Sequence, residues 1–539
     1  MPRAKDTTGE DRQLQPRRGE AWGHLRDAPR KLVRRWIDAN RWGRIALAVE
    51  AALVLIALFQ IVRIAVVFSL RMGYPFELEW MEGAVVDHVR VILAGEPLYR
   101  EPSVSFTPFI YTPFYYGVSA AFCRVLGLGL LAPRLVSVLA TAGALMLIAS
   151  FVWREFRDLT AALIACGWFV ATYQLTGFWL DIARVDALAL FLALAAVWLA
   201  RFGRSMPATI AAGVVLFLAF FTKQSALAFL APVVAFALAR GWRRALIAAA
   251  AFIVPTTIAV VWVNHTSNGW FGYYVFDVPG QHQVLWERWR PLLVDFFFKP
   301  VAVPVLLSLL LFVVRPTRLR ARYRLAAYVV FLLTATASSY SSLLHRDGFV
   351  NVLIPGYAVL ALVAGLGFAW VREQVREASN PLTTLAVFAG VAWLFAFGTL
   401  INEPRQAIPT RADREAGRAM VEVLRNQPEP MLMLGTGHFA FEAGHERGTA
   451  NAMALADVFK TREPEKKQRL LEAMLSSIRD KHWAVVILDP SYTLLPPEIT
   501  RAVHHHYRLQ GEVYPKSAKN AGWPKTGFHT RPREIWVPK

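Results

Sequence analysis

Within eleven residues this chain sets four carboxylates, Glu77, Glu79, Glu82 and Asp87, with Trp80 and Met81 between the acids. Oxygen ligands this close can hold a divalent cation such as Mg or Mn. Crowded like charges also raise a carboxyl's pKa toward the range of a general base. Three further segments carry groups of complementary chemistry. Asp181, Arg184 and Asp186 stand at the start of an apolar run, where ionisable residues mark function. A guanidinium grips phosphate or carboxylate in two-point, planar fashion. Thr222-Lys223-Gln224-Ser225 joins two apolar runs and offers an ammonium point charge to phosphate. His345-Arg346-Asp347-Gly348 is followed by Asn351 and Pro355. There His345 and Arg346 can hold a second phosphate oxygen and Asn351 can bond sugar hydroxyls. Each segment alone has an ordinary reading, as a solvated acidic loop, an interfacial ion pair or a snorkelling lysine. Together they suit a phosphate-linked donor attacked by a hydroxyl, with cations on the leaving phosphate and a carboxylate taking the proton.

The elements that must position these groups are apolar. Of 539 residues 55% are hydrophobic, the mean hydropathy is +0.36, and apolar runs alternate with short polar breaks from about 44 to 401. These features exclude a soluble multidomain chain, because about 20 apolar residues suffice for one membrane crossing. Expected crossings are 44–70, 132–153, 159–178, 185–201, 206–222, 225–240, 245–263, 300–314, 325–344, 349–371 and 382–401, a polytopic bundle of about eleven helices. The stretch 107–130, broken by Pro108, Pro113, Gly117 and Gly127, is expected to be juxtamembrane or re-entrant. The aromatic segment 264–299 reads as an interfacial belt.

Every second break is Arg-rich: Arg154/Arg157, Arg201/Arg204, Arg240/Arg243/Arg244, Arg315 to Arg324, and Arg372/Arg376. Cytoplasmic loops collect Lys and Arg, so these breaks are expected inside and the four chemical segments outside. The net charge of +20 then meets anionic headgroups rather than nucleic acid. Residues 1–43 read as a disordered basic cytoplasmic tail, too long for the charged region of a signal peptide. Residues 402–539 read as a small α/β domain, placed outside by the odd number of crossings. It has strands at 431–434, 484–488 and 534–537, and a helix at 464–481 with Leu470, Leu471, Met474, Leu475 and Ile478 on one face. Gly435-Thr436-Gly437 reads as a turn. His504-His505-His506 lacks the spacing of a two-ligand metal site and reads as a solvated loop. Cys123 and Cys166, the only cysteines, give no disulfide framework.

In their order and spacing, several of these motifs resemble the GT-C superfamily of integral-membrane glycosyltransferases, nearest to the bacterial aminoarabinose and protein O-mannosyl transferases. The likeness spans roughly 44–401. Its carriers are the acidic loop ending in Gly95-Glu-Pro97-Leu-Tyr99, Tyr111-Thr-Pro113-Phe-Tyr115-Tyr116, Ala183-Arg184-Val-Asp186, Thr222-Lys223-Gln224 and Asn351-Val-Leu-Ile-Pro355. The resemblance implies a polyprenyl-phosphate sugar donor and reaction at the periplasmic face of a bacterial inner membrane, with inversion at the anomeric carbon. It also implies an acidic base in the first external loop, sometimes with a divalent metal. Family members often carry Asp-Glu before the glycine that stands here as Gly83, whereas this chain has Met81-Glu82.

The expectation is therefore a hexosyl- or pentosyltransferase moving sugar to a hydroxyl of a cell-envelope glycan, lipid or protein. The base is one of Glu79, Glu82 and Glu77, in that order of preference. Arg184, Lys223 and Arg346 grip the donor phosphate. Asp186, Gln224, His345, Asn351 and Tyr111 contact substrate, and Glu77 and Glu79 are the ligands of any metal. The alternative is a transporter or flippase of a lipid-linked sugar. That activity calls for repeated halves and a charged path through the bilayer, and neither is visible in the sequence.

Overall fold

The computed structural model describes residues 41–314, 323–377, 381–400, 404–446, 448–489, 494–514, 518 and 520–539. The basic tail, except 41–43, and the Arg-rich break at 315–322 lie outside the described residues.

Each of the eleven expected crossings contains an observed helix, from Arg41–Met72 through Leu131–Phe156, Leu159–Ala171, Asp186–Phe202 and Met206–Thr222 to Pro381–Gly398. Local signals set the ends. Asp158 caps Leu159–Ala171 by accepting from the Ala161 amide (3.0 Å). Ser205 caps Met206–Thr222, which has Pro207 in its first turn. Both side chains satisfy amides that the first helical turn leaves open. Among the described residues, five helices are long and apolar enough to cross a membrane: Gly43–Met72, Leu131–Phe156, Trp242–Thr266, Arg324–Leu343 and Val350–Gln374. A sixth span exists if Trp286–Phe298 and Ala302–Phe312, bent by 81°, count as one. The expected span at 300–314 is thus part of a broken pair, and 107–130 supplies a helix of only 13 residues, Phe114–Leu126.

Aromatic and small residues pack the bundle. Trp168 lies edge-on to both Tyr357 and Trp393. Gly167 lets its helix approach Arg41–Met72 so closely that a Cβ would stand 2.5 Å from that of Ala57. Such approach, through small residues, is how helices associate where the solvent is itself apolar.

Two charge sets occupy opposite ends of this bundle. Asp186–Phe202 has 17 residues, about 25 Å at 1.5 Å each. It begins beside Arg184 and ends at Arg201, which pairs with Glu155 (2.6 Å). The Arg240 guanidinium donates to the carbonyls of Arg201 and Gly203, and Arg372 pairs with Glu50 (2.6 Å). Met206–Thr222 returns from this arginine end to Lys223.

The C-terminal unit is a four-stranded sheet in the order β1-β2-β4-β3, with β1 Met431–Met433, β2 Val485–Leu488, β3 Tyr507–Glu512 and β4 Glu534–Pro538. Parallel pairing of β1 with β2 requires a crossover, which His438–Glu442, Ala452–Lys460 and Pro464–Arg479 supply. On Pro464–Arg479, Leu470, Met474 and Ile478 are buried. β3 was not expected. It is an edge strand with mostly exposed side chains and a bulge at Leu509/Gly511, so it lacks the alternation that marks a half-buried strand. His504-His505-His506 also departs from expectation: it ends the helix Pro497–His506, which Ile499 and Val503 anchor by burial at i,i+4 spacing.

Candidate active site

The loop 73–81 joins Arg41–Met72 to Glu82–Leu93; its two glutamates, Glu77 and Glu79, and Glu82 at the start of the helix are all buried yet differ in environment. Glu82 is saturated. Arg134 donates to both its oxygens (2.9 and 2.6 Å) and the amides of Leu78 (2.6 Å) and Ala183 (2.7 Å) add further bonds. Arg134 also donates to the carbonyls of Tyr74 and Phe76, so the loop is wrapped around one buried ion pair. Burial alone would raise the Glu82 pKa, but the Arg134 charge and the hydrogen bonds hold it below its ordinary value. Glu77 accepts from the Gly83 amide (2.8 Å) and lines a separate small cavity with Tyr514 and Arg531. Burial pushes its pKa well up, against the charge of His438.

Glu79 alone of the three lines a larger cavity, of about 450 Å³. Its Oε2 accepts from the Met81 amide (3.2 Å) and lies 3.8 Å from Arg184 Nη1, while its buried Oε1 makes no hydrogen bond among the described residues. Burial raises its pKa to about 8, and the Arg184 charge limits the rise. The C-terminal unit seats this residue. The amides of Lys525 and Thr526 donate to the Leu78 carbonyl (2.7 and 3.1 Å), and Thr526 forms a β-bridge with Glu79. At Gly527 (φ +79°) a Cβ would stand 2.9 Å from Glu79 Oε1. Only glycine combines that backbone conformation with such an approach.

The cations come from helix ends. Arg184 precedes the first turn of Asp186–Phe202. It donates to the Tyr111 hydroxyl (3.2 Å) and sits 5.5 Å from the rings of Phe109, Tyr111 and Trp179. Its Nε and Nη1 make no hydrogen bond among the described residues. Lys223 follows Met206–Thr222 and donates to Asp186 Oδ1 (2.7 Å). The charge of Asp186 outweighs burial and raises the Lys223 pKa, so the ammonium stays charged.

Asp186 departs from its expected role as a substrate contact. Its oxygens are taken by Lys223, Asn351 (2.9 Å) and Trp179 Nε1 (2.9 Å), so it orients the groups that face the cavity. Asp181 is likewise a structural partner, bonded to Arg71 (2.7 Å) and Tyr173 (2.6 Å). Tyr111, Gln224, His345 and Asn351 line the cavity with Glu79, Arg184 and Lys223. Arg346 does not. It is exposed and bonds Gln283 at the rim, through its own amide (2.9 Å) and its side chain (3.3 Å). Glu77 and Glu79, the ligands expected for any metal, line different cavities and so do not fit a shared ion. Among the described residues no three His, Cys, Asp or Glu side chains form a metal-holding group.

The cavity also contains residues that the sequence did not mark. Met453, Asp457, Leu494, Gly527 and Phe528 come from the C-terminal unit, and His282 comes from the aromatic segment. Phe528 packs on Trp80 with ring centroids 5.7 Å apart.

The sequence matches no protein-family profile and no curated protein. Solved structures do match. ArnT from Cupriavidus metallidurans bound to undecaprenyl phosphate is 14% identical, with a TM-score of 0.55 over 89% of this chain and 97% of that one. Its apo state is 15% identical, with the same TM-score and coverage. The oligosaccharyltransferase AglB from Archaeoglobus fulgidus, in complex with an inhibitory peptide and a dolichol-phosphate, is 12% identical, with a TM-score of 0.47 over 86% of this chain and 72% of that one. The likeness to ArnT is one of fold, and the chain has the GT-C-like fold that its motif order led us to expect.

Proposed function

We propose that this GT-C-fold membrane protein is a glycosyltransferase that moves a sugar from a polyprenyl-phosphate donor to an acceptor hydroxyl. One observation carries the reading. A buried carboxyl with a free oxygen, Glu79, shares one cavity with a guanidinium and an ammonium, Arg184 and Lys223, at a single end of the helical bundle. Undecaprenyl phosphate, bound by ArnT, is the class of lipid that such cations suit.

In this reading Arg184 and Lys223 hold the phosphate and stabilise the charge that grows on it as the anomeric C–O bond breaks. The acceptor oxygen attacks the anomeric carbon from the opposite face, giving inversion. Its proton passes to ionised Glu79, and polyprenyl phosphate leaves. Glu82 and Glu77 have no part in proton transfer: Glu82 is locked to Arg134, and Glu77 faces another cavity. Asp186 keeps Lys223 and Asn351 in place. The arginine end of the bundle lies in the cytoplasm. The reaction then takes place at the periplasmic face of a bacterial inner membrane, where residues 402–539 form a domain over the transmembrane part.

Purified protein in bilayers, given a panel of radiolabelled polyprenyl-phosphate hexoses and pentoses, is expected to release label to water or to an added envelope glycan. Glu79→Gln should lower release about 10²- to 10⁴-fold. Lipid movement across the bilayer without any release, in wild type and variant alike, would make the protein a flippase instead.

A further inference from the structure

The cavity has a second polar pole, built where the C-terminal unit meets the aromatic segment. His282 and Asp457 both line it. Their side chains are only 10% and 4% exposed, and His282 Nε2 stands 3.5 Å from Asp457 Oδ1. Beyond this loose pairing neither atom has a hydrogen-bond partner among the described residues. The backbone around them is fixed. A β-bridge pairs Val284 with His345, and the Leu285 amide donates to the Leu344 carbonyl (2.8 Å). One turn beyond Asp457 on Ala452–Lys460, Lys460 pairs with Asp347 (2.8 Å). Three segments far apart in sequence thus hold a buried, loosely paired imidazole and carboxylate, each with hydrogen-bonding capacity to spare, at the edge of an open space.

Buried polar atoms short of a full hydrogen bond are costly in a folded protein, and the chemistry of this loose pair specifies the group that would complete it. A phosphate or carboxylate would meet His282 but be repelled by Asp457 and Asp347. An ammonium would meet Asp457 but be repelled by Lys460 and by His282, whose pKa Asp457 raises against the effect of burial. A hydroxyl donates and accepts at once, so neighbouring hydroxyls can donate to the carboxylate and accept from the ring N–H. We propose that His282 and Asp457 form a hydroxyl-binding subsite for a sugar ring, supplied in part by the C-terminal unit. This rests on the reading of the cavity as a sugar-transfer site and adds which residues read the sugar.

The test is equilibrium binding of free sugars to the full chain in nanodiscs, without turnover. Saturation-transfer NMR with a panel of free hexoses, pentoses and amino sugars at tens of millimolar should give a signal for at least one in the wild type. Asp457→Ala should reduce that signal at least fivefold and Asp457→Asn should restore part of it. Binding of undecaprenyl phosphate should change less than twofold in both. Should the alanine variant fail to fold, His282→Gln decides on the same criterion. No signal for any sugar in the wild type, or equal signals in wild type and variants, overturns the subsite. Sugar binding with no transfer activity would refute the transferase and leave the subsite standing. Transfer with sugar binding indifferent to Asp457 would refute the subsite alone.

Discussion

The buried state of Glu79 makes the pH dependence of transfer a sensitive readout. A base works only when ionised, and with a pKa of about 8 Glu79 is roughly one-tenth ionised at pH 7. Transfer should rise about tenfold per pH unit below 8 and level off above it. Removing the cation that limits this pKa is the informative perturbation. Arg184 Nη1 lies 3.8 Å from the carboxylate, both groups being almost fully buried. At an effective dielectric of about 20 their attraction is on the order of 4 kcal/mol, a ceiling of about three pKa units at about 1.4 kcal/mol each. Arg184→Met should therefore move the ascending limb upward by at least one unit. Activity at pH 7 should fall further than at pH 9.5, and donor affinity should also weaken. The assay is initial-rate transfer from a polyprenyl-phosphate sugar between pH 5 and 10, under single-turnover conditions so that chemistry is observed. Glu79→Gln should lower the rate about 10²- to 10⁴-fold and flatten the limb. An ascending limb near pH 4.5 in wild type, or a limb unmoved in Arg184→Met, would refute this reasoning.

Three further outcomes follow from the ion pairs. Arg134→Met leaves Glu82 buried without its counter-charge, which should destabilise the fold by about 3–5 kcal/mol, seen as a lower thermal midpoint and early loss of helical circular dichroism. Lys223→Met should weaken binding of undecaprenyl phosphate at least tenfold, whereas Arg346→Ala, at the exposed rim, should leave it within twofold; titration by tryptophan fluorescence separates the two. His438 is buried, which would lower its pKa, but Asp87 and Glu442 raise it to about 10. Because the folded value exceeds the ordinary 6.5, its stabilisation is full below about pH 6.5 and is lost as pH rises through 10. Thermal midpoints should fall over that range in wild type and change less in His438→Gln.

Much of the bundle was legible because its code is local. Apolar runs of helical length marked the helices, and the alternation of arginine-rich breaks sorted the two charge sets to opposite ends. Residue type and position also singled out Glu79, Arg184 and Lys223. Their partners were less visible. Glu77, Glu79 and Glu82 share one residue type and one six-residue stretch, and only the three-dimensional neighbours separate them: Arg134 for Glu82, Gly83 and His438 for Glu77, an open cavity for Glu79. Arg134 gave a usable signal, a single guanidinium in the first turn of a helix that then carries no charge until Arg154. His282 sat among aromatics that read as an interfacial belt. Asp457, Gly527 and Phe528 gave no local signal, because they join the cavity across more than 350 residues of chain and by backbone pairing that no side-chain motif encodes. Arg346 shows the converse: it has the right residue type, but backbone bonds to Gln283 place it at the exposed rim.

In the proposed mechanism one cavity at one end of the bundle holds both the base and the lipid phosphate. Cryo-electron microscopy of the protein in nanodiscs with undecaprenyl phosphate tests it most directly. The phosphate density should lie within hydrogen-bonding distance of Lys223 Nζ and the Arg184 guanidinium, in the cavity that Glu79 lines. Phosphate density at the opposite end, among Arg201, Arg240 and Arg372, would contradict the claim.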